Sequence, residues 1–461
     1  MNKRFTTLMT TLILSVFFSI SASAYDLEVD GIYYTIISDK TKTVEVSKNK
    51  VKLYTGKVSI PSSITKFGET FTVTRIGLSC FRDCDKIYCI NLPETIDSIC
   101  NDAFVYCSAL KEINIDKNNP YFQSVDGVVF NKDLTSLLHF PNAKTDTYEI
   151  PDGVKNIAVN SFTTNDVLRS LSMPSSLLKI EYYAFDCPNL IDIQLSKSLE
   201  SIGKYSFSNC PFTSIRLPES LKSIEESAFY NCKNLSTIYI PKNVEYISED
   251  WQFPGCSALE KIDVDPDNKY YTSIDGILYD KQISKVIRCP QNIKDMEWIT
   301  LPSTITKICK CAFHSVYSLT RIVIPANVTI IGNGAFVCCD NLSRVYCYAE
   351  NPPSTPIEEY SSSDPWDQTS KSTATLYVPK GCTDIYKNFY NKTYWHTTVY
   401  PYKNFKEIIE MDDDTGITPS FIDNNDQIFS TYNTMGVKKS TTTNGLNIIK
   451  YRNGNTKKII K

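Results

Sequence analysis

Three histidines, His139, His314 and His396, are the whole imidazole complement of this 461-residue chain. Imidazole catalysis needs a nucleophile or carboxylate within hydrogen-bond reach, and no partner stands at a spacing that marks one for any of the three. His139 shares a repeat position with Arg288 and His314 shares one with Val337, so neither position demands an imidazole. His396 lies beside Trp395 in an aromatic stretch. The 51 acidic residues supply many Asp and Glu pairs by chance, so paired carboxylates mark no acid–base site.

The 16 cysteines could make disulfides, a zinc site or a nucleophile. Cys84, Cys107, Cys210, Cys232, Cys256 and Cys339 fall at one recurring position, which Val316 also fills. A position open to Cys or Val reads as a small buried apolar site, and parallel Cβ directions on stacked copies disfavour bridging. Cys309-Lys310-Cys311 and Cys338-Cys339 lack the CxxC spacing of a zinc site. Asp263, Asp265, Asp267 and Asn268 have the look of a calcium loop's start, but Ile274 stands where that loop needs a bidentate Glu. The parallel set Asn114, Asp116, Asn118 and Asn119 points to a polar turn closed by Asx hydrogen bonds. No catalytic residue, metal ligand or cofactor is assigned, and the chain is read as not an enzyme.

Composition bounds the partners. The chain is 42% hydrophobic and 21% charged, with net charge −3 and no basic block, which argues against nucleic acid. The acidic run Asp412 to Asp414 is short enough to be a solvated linker. Lys3 and Arg4, the apolar stretch Leu12 to Ile20 and the small residues Ala22-Ser23-Ala24 form a secretory signal pattern, with Tyr25 as the first mature residue. A membrane span wants about 20 apolar residues, more than any stretch here offers.

The elements that position these residues come from a repeat. In SIEESAFYNCKNLSTIYIP (223–241), counting from Pro218, Leu221 and Ile224 follow at +3 and +6, Ala228-Phe229 at +10 and +11, and Cys232 at +14. Leu235, Ile238 and Ile240 then lead into Pro241. The frame recurs from Pro93 (Ile96, Ile99, Ala103-Phe104, Cys107) and Pro325 (Val328, Ile331, Ala335-Phe336, Cys339), and at Pro151, Pro174 and Pro302. From Pro61 to Pro379 it makes about 13 rungs. One rung cannot bury its three short apolar stretches alone, so copies must stack. LxxIxIP alternates like a half-buried strand in a parallel ladder, Pro closes the strand, and AFxxC makes a short helical turn or tight bend on the opposite edge with Phe in the core. At a rung spacing of about 4.8 Å the stack would run about 60 Å. The expected fold is a β-rich repeat solenoid of parallel stacked short strands with short helical turns.

These residues resemble the leucine-rich repeat of BspA-like surface proteins, in which LxxIxIPxxVxxIGxxAFxxC recurs, over residues 25 to 405. Two longer units, NNPYFQSVDGVVFNKDLTSLLHFP (118–141) and DNKYYTSIDGILYDKQISKVIRCP (267–290), resemble that family's hairpin interludes, and ATLYVPKGCTDIY (374–386) its C-terminal cap. The expected organisation is a signal peptide (1–24), a β-rich N-terminal cap (25–75), the leucine-rich repeat solenoid (76–349), an aromatic cap (350–410), and a linker with a small β tail (411–461). Residues 427–461 read as short strands between Gly436, Gly445 and Asn453-Gly454, and the tail resembles the C-terminal sorting domains of some Gram-negative anaerobes. A β-hairpin cap is the other reading of it.

With no catalytic constellation, function falls to surfaces. One outward column of the strands reads Asn91, Asn114, Ser172, Gln194, Arg216, Tyr239, Asp263, Val323, Tyr346. The column before it reads Cys89, Glu112, Ser170, Asp192, Ser214, Thr237, Lys261, Arg321, Arg344. Such variation fits either a recognition face or mere tolerance of solvent. The ligand-binding face is assigned to Arg216, Tyr239, Asp263, Arg321 and Tyr346, since Arg and Tyr are favoured at hot spots. The resemblance implies a secreted or cell-surface, adhesin-like binding protein on the outer surface of a Gram-negative bacterium. Its partner would be a protein or glycan, host extracellular matrix included. A structural envelope component with no specific ligand, and an enzyme with its site in the C-terminal cap, are the alternatives. The export reading is checked by mass spectrometry of protein from its native host, which is expected to show a chain beginning near Tyr25; an intact Met1 in envelope or culture fractions would contradict it.

Overall fold

The offsets of the repeat are the spacings of turn hydrogen bonds. In the rung that begins at Pro218, the Leu221 N–H donates to the Pro218 carbonyl at 3.1 Å, and the Cys232 N–H to Phe229 at 3.4 Å. The Leu235 N–H donates to Cys232 at 3.1 Å. Each bond closes a four-residue turn, so the residue three positions on is brought back inside. The same closure joins Ile96 to Pro93, Ile305 to Pro302 and Val328 to Pro325. Proline suits the first position because its carbonyl, not its missing N–H, makes the bond.

The computed structural model describes residues 26–49, 53–294, 296–356, 364–366, 368–392, 398–403 and 405–411, with the strand segments of the tail. The signal pattern, Tyr25, Trp395, His396 and Asp412 to Asp414 lie outside the described residues. The chain divides into two compact units, one of residues 1–148 and 153–168, the other of 149–152 and 169–461.

In the first unit a mixed sheet runs in the order 27–29, 32–38, 43–46, 69–76, 63–66, and a parallel sheet joins Thr55–Ser59, Lys86–Leu92 and Glu112–Ile115. The first interlude is the expected hairpin, Phe122–Val125 against Val128–Asn131. Its turn residues Asp126 (φ 49°) and Gly127 (φ 74°) are both left-handed, as a type I′ turn requires. The Gly127 carbonyl accepts the Ile113 N–H at 2.9 Å, which brings the hairpin tip onto the last parallel strand. A Cβ on Gly127 would lie 2.6 Å from that of Glu112, so the tip fits only as glycine. Asp275-Gly276 repeats the turn in the second unit, between Tyr271–Ile274 and Ile277–Asp280.

In the second unit, inward isoleucines stack in register: Ile180, Ile202, Ile224 and Ile247 along one ladder, Ile238 and Ile262 along another. A parallel sheet of Trp298–Thr300, Arg321–Ile324, Arg344–Cys347, Thr375–Val378 and Glu407–Glu410 follows. The phenylalanines form a row of parallel rings, Phe185–Phe207 at 5.2 Å, Phe207–Phe229 at 5.6 Å and Phe229–Phe253 at 5.9 Å. Beyond the second hairpin Phe313 stacks on Phe336 at 5.1 Å, and Trp366 ends the row 4.3 Å from Phe336.

Of the two forms expected for AFxxC, the structure has the bend, in places with two-residue strands such as Phe207–Ser208. Left-handed residues two before and two after Phe prevent a helix, Tyr205 and Asn209 around Phe207, Ser227 and Asn231 around Phe229. The helices among the described residues are short, six residues each, Gln368–Thr373 and Thr383–Asn388. Four antiparallel segments, 430–432, 438–439, 446–450 and 456–460, form the tail sheet. The fold is a β-solenoid of stacked parallel strands with almost no helix.

All 16 cysteines are free thiols. The recurring position is more than an apolar site. The thiols of Cys107, Cys232, Cys256 and Cys339 each donate to the carbonyl of a Phe one rung earlier: Phe81 at 3.0 Å, and Phe207, Phe229 and Phe313 at 3.1 Å. A thiol is a weak donor, and Val316 fills the position without one. Burial pushes the thiols of Cys107, Cys232 and Cys256 up, Cys256 to about 12, which keeps them protonated and unreactive.

Truncating the fully buried Phe229 to Ala removes a ring from the row and is expected to cost about 3–5 kcal/mol. Tyr239→Ala, on the solvent side, is expected to cost about 1 kcal/mol or less. Thermal melts of both variants check this; an unfolded Tyr239→Ala beside a wild-type-like Phe229→Ala would reverse core and surface.

Candidate functional site

Alternation along each strand decides what faces out. In Thr237–Ile240, Ile238 and Ile240 are buried while Thr237 and Tyr239 are exposed. The parallel ladder then sets Tyr239 beside Asp263 and Thr237 beside Lys261 on the next strand. The Tyr239 hydroxyl donates to Asp265 at 2.8 Å, and Lys261 pairs with Asp263 at 2.8 Å. That hydroxyl bond pushes the Tyr239 phenol up to about 12 and holds the Asp265 carboxyl below its usual range. Arg216 is exposed, one residue past the segment Ser214–Ile215 that pairs with Thr237–Ile238. The structure thus brings Arg216, Tyr239 and Asp263 onto one outward face of the second unit.

Arg321 and Tyr346 lie on a different sheet of that unit. Arg321 sits between Trp298 and Arg344 in register, its guanidinium 5.9 Å from the Trp298 ring centre. Tyr346 is not exposed as its column suggested. It is 8% exposed, stacked on Tyr377 at 4.4 Å, and packed with Val323 and Met411 in a small cluster on the outer side of the sheet. The neighbouring column in register, Val323, Tyr346, Tyr377 and Ile409, is apolar, and apolar side chains cover one another wherever they stand. In the first unit the outward column is polar: Asn114 donates to Asn91 at 3.2 Å and Asn91 to Ser59 at 2.9 Å, while Cys89 is buried beside them.

The other chemistry-bearing residues among those described make packing contacts and turn hydrogen bonds. His139 stands edge-on to Phe104 at 5.0 Å and lines a small cavity of about 10 Å³ with Asn101, Asn142 and Ser161, space for one water. Burial pushes its imidazole down to about 4, so it is neutral near pH 7. Its counterpart Arg288 is fully buried and donates to the carbonyls of Cys311 and His314. His314 Nδ1 lies 2.8 Å from the Ser315 hydroxyl, and its ring packs 5.5 Å from that of Trp251. The acidic string is the Asx turn: the Asp265 carboxylate accepts the Asp267 N–H at 2.8 Å, as Asp116 accepts that of Asn118. Buried Asn268 donates to the carbonyls of Pro241 and Val244 and accepts two N–H groups, leaving no oxygen for an ion. Among the described residues no group of three or more His, Cys, Asp or Glu side chains could hold a metal.

Two features escaped sequence reasoning. One is the pairing of Glu249 with both Lys285 (2.5 Å) and Lys307 (2.7 Å), 36 and 58 residues away. The other is a partly exposed tyrosine cluster by the AFxxC bends, Tyr182, Tyr183, Tyr205 and Tyr230, with ring centres 5.0 to 6.1 Å apart. Tyr205 and Tyr183 share a repeat position, and that alignment is the signal that could have revealed them.

A search of curated proteins finds no match. Among solved structures, a leucine-rich cell surface protein from Faecalibacterium prausnitzii is 19% identical, with 92% of this chain and 100% of that one covered at a TM-score of 0.44. A leucine-rich repeat protein from Eubacterium ventriosum is 16% identical, with 83% of each chain covered and a TM-score of 0.39. One from Bacteroides ovatus is 19% identical, with 84% of this chain and 100% of that one covered and a TM-score of 0.34. The model of the BspA type leucine rich repeat region matches residues 56–141, 138–260, 186–295 and 287–411, most of the chain, and the protein belongs to that family.

Proposed function

We propose that this protein is a secreted or cell-surface binding protein, adhesin-like, that engages a protein or glycan through the outward face of its stacked strands. The observation that carries this reading is the face around Tyr239. There an exposed aromatic ring, a Lys–Asp pair and a second carboxylate are held in register by a ladder whose inward residues are fully committed to the core. Side chains fixed in this way lose little freedom on binding, and Tyr and Arg carry much of the energy in known interfaces.

Export through the signal pattern at 1–24 and the domain boundaries given above belong to the same proposal. The tail beyond residue 411 would serve either as an outer-membrane sorting signal or as a cap, and its antiparallel segments are compatible with both. Attachment to the outer surface of a Gram-negative cell rests on that tail. No helix of the described residues is long and apolar enough to cross a membrane.

Residues 25–461 are to be screened by surface plasmon resonance against extracellular-matrix proteins and glycan arrays. Saturable binding is expected, weakened by about 2 kcal/mol or more in Tyr239→Ala and reduced in Asp263→Ala, with thermal stability unchanged. Binding indifferent to both substitutions, or none across the screen, would contradict the proposal.

A further inference from the structure

Arg321 and Arg344 face each other directly across neighbouring parallel strands, with Arg321↔Arg344 in register. That places two guanidinium-bearing residues about 4.8 Å apart along the sheet. Like charges directly opposite one another destabilise a sheet. Elsewhere the fold neutralises such a pair. Lys285 and Lys307 are likewise in register, and Glu249 reaches both with one carboxylate. Lys204, Lys222 and Lys261 each have a carboxylate within 3.0 Å. Among the described residues, Arg321 and Arg344 have no carboxylate within 4 Å. The nearest acid of their own column, Glu407, stands two strands beyond Arg344, about 10 Å along the sheet.

What surrounds the pair is not bulk solvent alone. The Trp298 ring lies under the Arg321 guanidinium, and the Tyr346–Tyr377 stack occupies the next column. Both Arg charges act on the Tyr346 hydroxyl, so the rings and guanidiniums form one patch. Trp, Tyr and Arg are the residues that dominate protein interfaces, and the planar fork of Arg matches a carboxylate through two parallel bonds. We propose that Arg321 and Arg344, flanked by Trp298 and Tyr377, form an anion-recognition site for a carboxylate-rich segment of a partner polypeptide. Two guanidiniums on a chain of net charge −3 are too few to follow a nucleic-acid backbone. Anionic membrane surfaces call for clusters of about four to eight basic residues.

The inference deepens the proposed function by naming the partner chemistry of one sheet, and it rests on that reading. The test is fluorescence anisotropy of labelled poly-L-glutamate with residues 25–461 in low-salt buffer, with poly-L-glutamine and heparin as the other probes. Poly-L-glutamate is expected to bind and poly-L-glutamine not to. The Arg321→Gln/Arg344→Gln variant should bind at least 10-fold more weakly, and Arg321→Lys/Arg344→Lys should lie between it and wild type because charge is kept and the fork is lost. Arg169→Gln, an exposed arginine beside the strand Ser170–Ser172 of another sheet, should bind as wild type. Thermal melts of all variants are expected to coincide within a few degrees. Poly-L-glutamate binding unchanged in the Gln variant, a Lys variant as tight as wild type, or heparin bound with no binding of poly-L-glutamate would each overturn the inference. If the matrix and glycan screen yields a ligand that needs Tyr239 but not these arginines, this site fails while the wider reading stands. If only poly-L-glutamate binds, and through these arginines, the wider reading fails while this site stands.

Discussion

Everything in this fold depends on stacking like on like at the spacing of a parallel ladder. A rung of the repeat buries its isoleucines, its Phe and its small residue only against the same residues of the rungs beside it. The ring row Phe185, Phe207, Phe229 and Phe253 shows the constraint most plainly: neighbouring centres lie 5.2 to 5.9 Å apart with planes within 16°. That spacing also brings a carbonyl of one rung to the Cys thiol of the next, where it serves as a weak extra bond across the interface. The rule applies outward as well as inward. Whatever side chain a strand shows to solvent has its counterpart about 4.8 Å away, so outward identity is a column property. Asn91 over Asn114 makes a hydrogen-bonded ladder; Arg321 over Arg344 makes a concentration of charge.

Closing such a rung in so few residues demands backbone that most side chains avoid. Left-handed residues flank the Phe at Ser227 and Asn231, and at Cys311 and Ser315 around Phe313. Each costs on the order of 1–2 kcal/mol outside glycine, and burial of the ring between them offsets it. The two hairpins use left-handed Asp-Gly pairs for a different end, since the Gly127 and Gly276 carbonyls accept the N–H groups of Ile113 and Ile262 and so close the open edge of the strand before each. Where the phenylalanine row meets the second hairpin the ring is missing. Arg288 lies there among Cys256, Cys289, Cys311 and Cys339, its charge shared with two backbone carbonyls.

Much of this was legible in the sequence because it repeats. The repeat spacings, the inward isoleucines and the Asx turn at Asp265 follow from local rules applied copy by copy, and the two hairpins were expected from the family resemblance. The AFxxC segment was less legible, since Ser227 or Tyr205 in a left-handed conformation carries no signal in its residue type. Long-range events were illegible. Trp366 completes the ring row from a stretch with no repeat frame, and Met411 covers Val323 and Tyr346 from 65 residues beyond the latter, so a position that alternation places outside became buried. Of the face assigned from sequence, Arg216, Tyr239, Asp263 and Arg321 remain partly or fully accessible, and Tyr346 does not.

The division of labour is therefore between recurring inward residues that hold rung to rung and varied outward residues that face solvent. Its foundation is that the interfaces are shared, so damage at one rung is felt on both sides. Hydrogen exchange measured by mass spectrometry on Phe207→Ala tests this most directly. Protection is expected to fall at the strand amides of the rungs on either side, around residues 179–194 and 223–240, as well as in the altered rung. Loss confined to residues 201–215 would mean that each rung is stable by itself, and would contradict the account.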